Sequence, residues 1–147
     1  MVLQRVSRAS VEVDGVLAGS IERGIVMFLG IGRLDSEKDA DYLIGRVIHL
    51  RMFPDEHGKM NRSVMDIRGA ILVVSQFTLY GDCRKGRRPS FDQAAPPDQA
   101  LPMYNYFLER LSTYEVTVQT GVFQAHMNVS FLNDGPVTFL LDSRNLN

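Results

Sequence analysis

The run Ile71-Leu-Val-Val-Ser-Gln-Phe-Thr-Leu79 constrains this chain more than any other stretch. Four aliphatic residues in succession turn polar at Ser-Gln and then meet Gly81-Asp82, a turn signal. A run this short, with two valines and a threonine, fits a fully buried strand better than a helix. A second stretch, Asn133-Asp-Gly-Pro-Val-Thr138, sets a Gly-Pro dipeptide between two apolar segments. Proline has no N–H to give a sheet ladder, so it marks an edge, a strand start or a tight turn. A buried strand ending in hydroxyl and amide groups, together with a stiff Gly-Pro turn, are ingredients of a pocket built from backbone.

A buried strand needs a core, and 147 residues supply one in a single domain. With 45% hydrophobic and 22% charged residues the chain lies in the ordinary soluble range. Its net charge of -1 leaves no global field toward nucleic acid or an anionic membrane, so any polyanion contact must be local. No apolar run approaches the ~20 residues of a membrane span, and the N-terminus lacks a signal-peptide core. Cys83, alone, rules out an internal disulfide and fits a reducing, cytoplasmic compartment.

Along the chain, alternating segments around Val2–Val6, Val11–Val13, 16–21 and 25–29, with a hairpin signal at Asp14-Gly15, predict a meander of three or four strands. Asp35-Ser36-Glu37 caps a helix over 37–50, with Ala40, Leu43, Ile44, Val47 and Ile48 on one face. A second helix over 98–112 carries Leu101, Tyr104, Phe107, Leu108 and Leu111, with Pro102 in its first turn. Strands at 70–77, 115–120, 127–132 and 137–141 complete the set. The order predicts an α+β fold with largely antiparallel sheets, a barrel-like core and two main helices.

The usual chemical residues are unpromising. His49 lies off the apolar face of the first helix, His57 is in a charged turn, and His126 has no partner at ligand spacing, so no metal is expected. No G-x-S-x-G elbow exists, and Cys83 beside Arg84 and Lys85 lacks a placed histidine. Thr78 divides evenly between a plain strand residue and a pocket residue. The second role requires the strand to bend or end so that Ser75, Gln76 and Thr78 address one cavity. Arg84, Lys85, Arg87 and Arg88 form either a solvated face or a local phosphate-contacting patch. The Gly135-Pro136 bond is trans on the ordinary prior; a cis bond would present two carbonyls on one side as a hard wall free of side chains.

Taken in order, Ser75-Gln-Phe-Thr78, Arg88-Pro-Ser-Phe91, Thr120-Gly121-x-Phe123 and Asn133-Asp-Gly-Pro-Val-Thr138 resemble the D-aminoacyl-tRNA deacylase family. Gln4-Arg-Val-Ser-Arg-Ala-Ser-Val11 and Gly58-Lys-Met-Asn61 agree, so the likeness spans nearly the whole chain. Gln124 departs from it, standing where many members carry a small residue, and Arg88 replaces a methionine found in some.

The resemblance implies a cofactor-free homodimer that hydrolyses the ester joining a D-amino acid, or glycine, to tRNA. It places Thr78, Ser75, Gln76 and Phe77 at the catalytic strand end, and Phe123, Ala125, Met127 and Phe91 against the substrate. Gly135 and Pro136, joined by a cis bond, would reach into the partner subunit's site and exclude L-amino acids. Arg84, Lys85, Arg87 and Arg88 would hold the tRNA backbone. Within this reading Thr78 is either a nucleophile or a pocket wall beside a reaction assisted by the substrate's 2′-hydroxyl. Outside it stand a general Thr78-dependent esterase and a non-catalytic RNA-binding dimer.

Overall fold

Alternation in the first thirty residues does produce antiparallel strands, but not the expected meander: the opening strand β1 is unbroken over Val2–Val13, and β2 (Val16–Ile21) and β3 (Gly24–Leu29) both pair with it, its length offering one stretch to each. The computed structural model describes residues 1–144; the last three, at the end of the expected domain, lie outside the described residues. Between β1 and β2 the chain turns at Asp14 (φ 50°) and Gly15 (φ 77°), the two left-handed positions of a hairpin turn whose twist matches its strands. Helix α1 (Glu37–His49), the short pair β4 (Phe53–Pro54) and β5 (Met60–Arg62), and the buried strand β6 (Ala70–Ser75) follow. A single-turn 3-10 helix (Phe77–Tyr80), α2 (Pro97–Leu111), β7 (Thr117–Thr120) and β8 (Asn128–Leu140) complete the fold.

One sheet runs β2-β1-β3-β6-β7, with β8 on the other edge of β1. The pairs of β1 with β2, β3 and β8 are antiparallel, as expected. The pairs β3–β6 and β6–β7 are parallel. Each parallel step needs a long crossover, and α1 and α2 lie in those connections. The sheet curls until its ends nearly meet: a Cβ on Gly19 of β2 would lie 2.6 Å from the Thr120 carbonyl oxygen of β7.

Strand β6 is buried on both faces, as its apolar run requires. Ile71 and Val73 join Leu3, Ile25 and Met27 under the helices, against Ile44, Val47, Ile48, Phe107 and Leu111. Leu72 and Val74 turn the other way, into the barrel interior with Val6, Ala9, Val11, Ile21 and Val26. All five apolar residues predicted for α1 are buried, and both the Ser36 N–H and hydroxyl donate to the Asp39 carboxylate (2.8 Å each), capping the helix.

Three local expectations need correction. Helix α2 starts at Pro97, and of its expected stripe Tyr104, Phe107 and Leu111 are buried and Leu108 half-buried, but Ala100 takes the inward place given to Leu101, which is 39% exposed. Pro102 consequently sits beyond the first turn. The strands expected at 127–132 and 137–141 are one element, β8, in which the Gly-Pro segment forms a bulge.

Candidate active site

The polarity that appears at Ser75 is where β6 ends. Gln76 donates its N–H to the Leu29 carbonyl (2.8 Å), the last tie to β3, and the chain coils into the 3-10 helix. The strand therefore stops instead of alternating through to Tyr80, the condition under which Ser75, Gln76 and Thr78 act together. The Gln76 side-chain amide donates to Thr78 Oγ1. Neither the Phe77 nor the Thr78 N–H meets an acceptor among the described residues, as befits the start of a helical turn. No imidazole, carboxylate or amine is hydrogen-bonded to the Thr78 hydroxyl there either.

This strand end opens onto a cavity of about 500 Å3 whose lining includes Ser75, Gln76, Phe77, Phe123, Ala125 and Met127, so six of the eight expected catalytic and substrate-contacting residues share one space. Thr78 adjoins it through Gln76. Phe91 is not in the lining; its ring packs edge-on against Phe77 (centroids 5.0 Å apart), propping the wall from behind. Phe123 is held by Tyr104, whose ring lies 5.4 Å away and whose hydroxyl donates to the Val73 carbonyl (3.3 Å). Burial pushes the Tyr104 phenol up to about 12, so it stays neutral and a donor at any physiological pH. A larger cleft of about 800 Å3 lies beyond Leu79 and Tyr80, lined also by Met1, Tyr42 and Leu140. It lacks the polar strand end and the uncommitted N–H groups, so the smaller cavity is the better site.

The Gly-Pro segment is built with equal care, but elsewhere. Asn133 pairs with Val6 and Thr138 with Gln4, so opposite the single residue Arg5 strand β8 uses four, 134–137. Asn133 closes the neck of this bulge, donating to Gln4 Oε1 (2.8 Å) and Thr138 Oγ1 (3.3 Å) and accepting from the Val137 N–H (2.9 Å). Arg5 lies beneath, 8% exposed, donating through Nε to the Asp134 carbonyl (3.0 Å) and through Nη1 to the Met52 carbonyl (2.8 Å). The Gly135-Pro136 bond is cis, and Gly135 has φ 131° with room for no side chain: a Cβ would lie 2.8 Å from Val137 Cγ2 and 2.9 Å from Arg5 Nη2. None of these residues lines the cavity of the same subunit. Val129, which does, is four strand steps of ~3.3 Å, roughly 13 Å, from the bulge neck.

Arg5 and Asn133 carry roles that sequence reasoning assigned to neither. Arg5 follows the buried Leu3 by two positions, on the same face of the strand, and a charged residue at such a place was the available signal. In the loop after the 3-10 helix, Arg84 is committed to Asp82, donating through Nε (2.9 Å) and Nη2 (2.6 Å). That fork pulls the Asp82 carboxyl down to about 2. Lys85, Arg87 and Arg88 are exposed and make no ion pair among the described residues, so three of the four expected cations remain available to phosphate. His49 and His57 are exposed, whereas His126 lines the cavity. Among the described residues no helix is long and apolar enough to cross a membrane.

A family model described as D-Tyr-tRNA(Tyr) deacylase matches residues 2–142. The chain is 55% identical to the D-aminoacyl-tRNA deacylase of Solibacter usitatus, over 100% of this chain and 97% of that one. It is also 55% identical to the protein of that name from Thermosipho africanus, covering 97% and 96%. A solved structure described as c-Myc DNA Unwinding Element Binding Protein superposes with a TM-score of 0.91 at 46% identity, over 96% of each chain. A probable eukaryotic D-amino acid tRNA deacylase, 18% identical, shares the fold with a TM-score of 0.80, over 94% of this chain and 95% of that one.

Proposed function

The chain belongs to the D-Tyr-tRNA(Tyr) deacylase family and is a D-aminoacyl-tRNA deacylase, and from that premise we propose how its parts divide the work. The ester joining the amino acid to the terminal ribose enters the cavity at the end of β6. The Phe77 and Thr78 N–H groups, which have no other acceptor among the described residues, hold the oxyanion as water attacks. In other enzymes loss of one such donor costs about 3 to 4 kcal/mol of transition-state stabilisation. Thr78 shapes this wall; with no base among the described residues hydrogen-bonded to it, a nucleophilic role lacks an activating partner there. The substrate's own 2′-hydroxyl assists the water. No cofactor or metal enters this scheme.

Handedness is sensed by exclusion. Once ammonium and carbonyl are fixed, an L-side chain runs into the rigid Gly135-Pro136 carbonyls, whereas a D-side chain points outward. Glycine, having nothing to reject, is cleaved as well. The bulge lies too far along β8 to serve its own subunit's cavity, so it serves a second copy, and the working unit is a homodimer. Lys85, Arg87 and Arg88, joined by Arg84 where phosphate displaces Asp82, grip the tRNA backbone and position it without reading bases. The protein acts in the cytoplasm as a proofreader of charged tRNA.

The observation that carries this reading is the separation, on one chain, of an open strand-end cavity from a carbonyl bulge held by Arg5. The test is ester loss from D-tyrosyl-tRNA and L-tyrosyl-tRNA. We expect the D-ester to be cleaved and the L-ester spared; equal rates on both would refute the exclusion. Thr78→Ala should retain substantial single-turnover activity, and a trapped acyl-Thr78 would overturn the assignment of that residue. A substrate lacking the 2′-hydroxyl should react slowly. An inert protein that still binds tRNA would instead support a nucleic-acid-binding module, the reading favoured by the description of its 46% identical structural relative.

A further inference from the structure

The cavity rim contains a glutamine at a turn position whose left-handed backbone ordinarily takes glycine or asparagine. Residues 122–125 form a tight turn closed by the Ala125 N–H to the Val122 carbonyl (3.2 Å), with Gln124 at its third position and φ 63°. That left-handed conformation suits glycine or asparagine; other residues carry a Cβ penalty of roughly 1 kcal/mol there. The turn is firmly placed on both sides, by Phe123 against Tyr104 and by the Val122 N–H directed at Met127 Sδ (3.4 Å). Gln124 is exposed, lines the cavity, and its amide has no hydrogen-bond partner among the described residues. His126, two residues on, also lines the cavity and is exposed. Below them the lining is largely apolar, including Leu29, Ile31, Val74 and Ala100. A free amide on a rigid turn at the mouth of an apolar cavity offers a donor and an acceptor to whatever projects out of it.

We propose that Gln124 determines side-chain specificity, favouring D-aminoacyl esters whose outward-pointing side chain bears a hydrogen-bonding group over those with none. This rests on the deacylase reading, in which the D-side chain leaves through the cavity mouth. The experiment measures kcat/KM of the full-length protein on D-aspartyl-tRNA, D-tyrosyl-tRNA and glycyl-tRNA. Gln124→Gly relieves the left-handed strain, so its Tm should equal or exceed that of the parent, separating lost recognition from lost structure. In that variant the ratio of D-aspartyl to glycyl kcat/KM should fall about three- to tenfold, the worth of one hydrogen bond. Gln124→Asn, which tolerates the same φ and keeps an amide, should recover part of the ratio. Equal changes on all three substrates, or an unaltered ratio, would overturn the assignment while leaving the deacylase reading intact. A parent protein that cleaves none of the three esters would remove both.

Discussion

Strands β6 and β8 both carry several apolar side chains, yet they are held in opposite ways. In β6, Ile71, Leu72, Val73 and Val74 are buried between helices and barrel interior. In β8, thirteen residues long, no side chain is buried; Leu132 and Leu140 lie open, the latter 80% exposed. Side-chain packing fixes β6, whereas β8 is fixed by its ladder to β1 and by the polar clamp around its bulge. The difference separates residues that hold the subunit together from residues presented outward. A sheet edge carrying this much apolar surface is what a second copy would cover.

The sharpest way to break the comparison is to truncate each strand in turn. Leu72→Ala in β6 should cost about 2–5 kcal/mol in urea unfolding, the range for a fully buried leucine. A loss under about 1 kcal/mol would mean that β6 is not a packed core strand. Arg5→Met removes the buried donor beneath the bulge, and hydrogen bonds from a charged group are worth about 1.5–3 kcal/mol. Stability should fall by an amount of that order, and the D- over L-tyrosyl-tRNA ratio of kcat/KM should fall with it. A destabilised variant with full discrimination would make Arg5 a structural support alone.

Leu140→Asp should move subunit stability by no more than about 0.5 kcal/mol, since the residue packs on little within the chain. In sedimentation, however, it should shift the proposed homodimer toward monomer and reduce activity. Unchanged association would take this end of β8 out of the interface.

The smallest effect appears only in alkali. Burial, helped for Tyr80 by the neighbouring Asp35 charge, pushes the Tyr80 and Tyr104 phenols up to about 12, against ~10 in an unfolded chain. The folded state therefore keeps these protons longer than the unfolded state does. The corresponding stability is fully present below pH ~10 and is lost as pH rises toward 12. Unfolding midpoints across that window should decline less steeply for Tyr104→Phe than for the parent; identical slopes would contradict the burial of that hydroxyl.

Much of this was legible in the residues, and the failures have physical reasons. The buried strand, both helices, the hairpin at Asp14-Gly15 and the strand-end cluster follow from short-range rules of burial, capping and turn preference. The parallel pairing of β3, β6 and β7 did not, because nothing local distinguishes a parallel from an antiparallel neighbour. Gly-Pro was read as a break between two strands, since a four-residue bulge is visible only when the facing strand supplies the register. Phe91 was placed against substrate, but it stacks on Phe77, a contact across fourteen residues that no periodicity encodes.

The order of residues alone dictates which segments must be buried, where β6 turns polar, and the family to which the spaced motifs belong. Only the tertiary structure decided that Arg5 reaches the Asp134 carbonyl and that the bulge lies away from its own subunit's cavity. Burial preference and turn chemistry are carried by neighbouring residues, whereas a contact between positions 5 and 134 depends on how a curled sheet sets its strands in register.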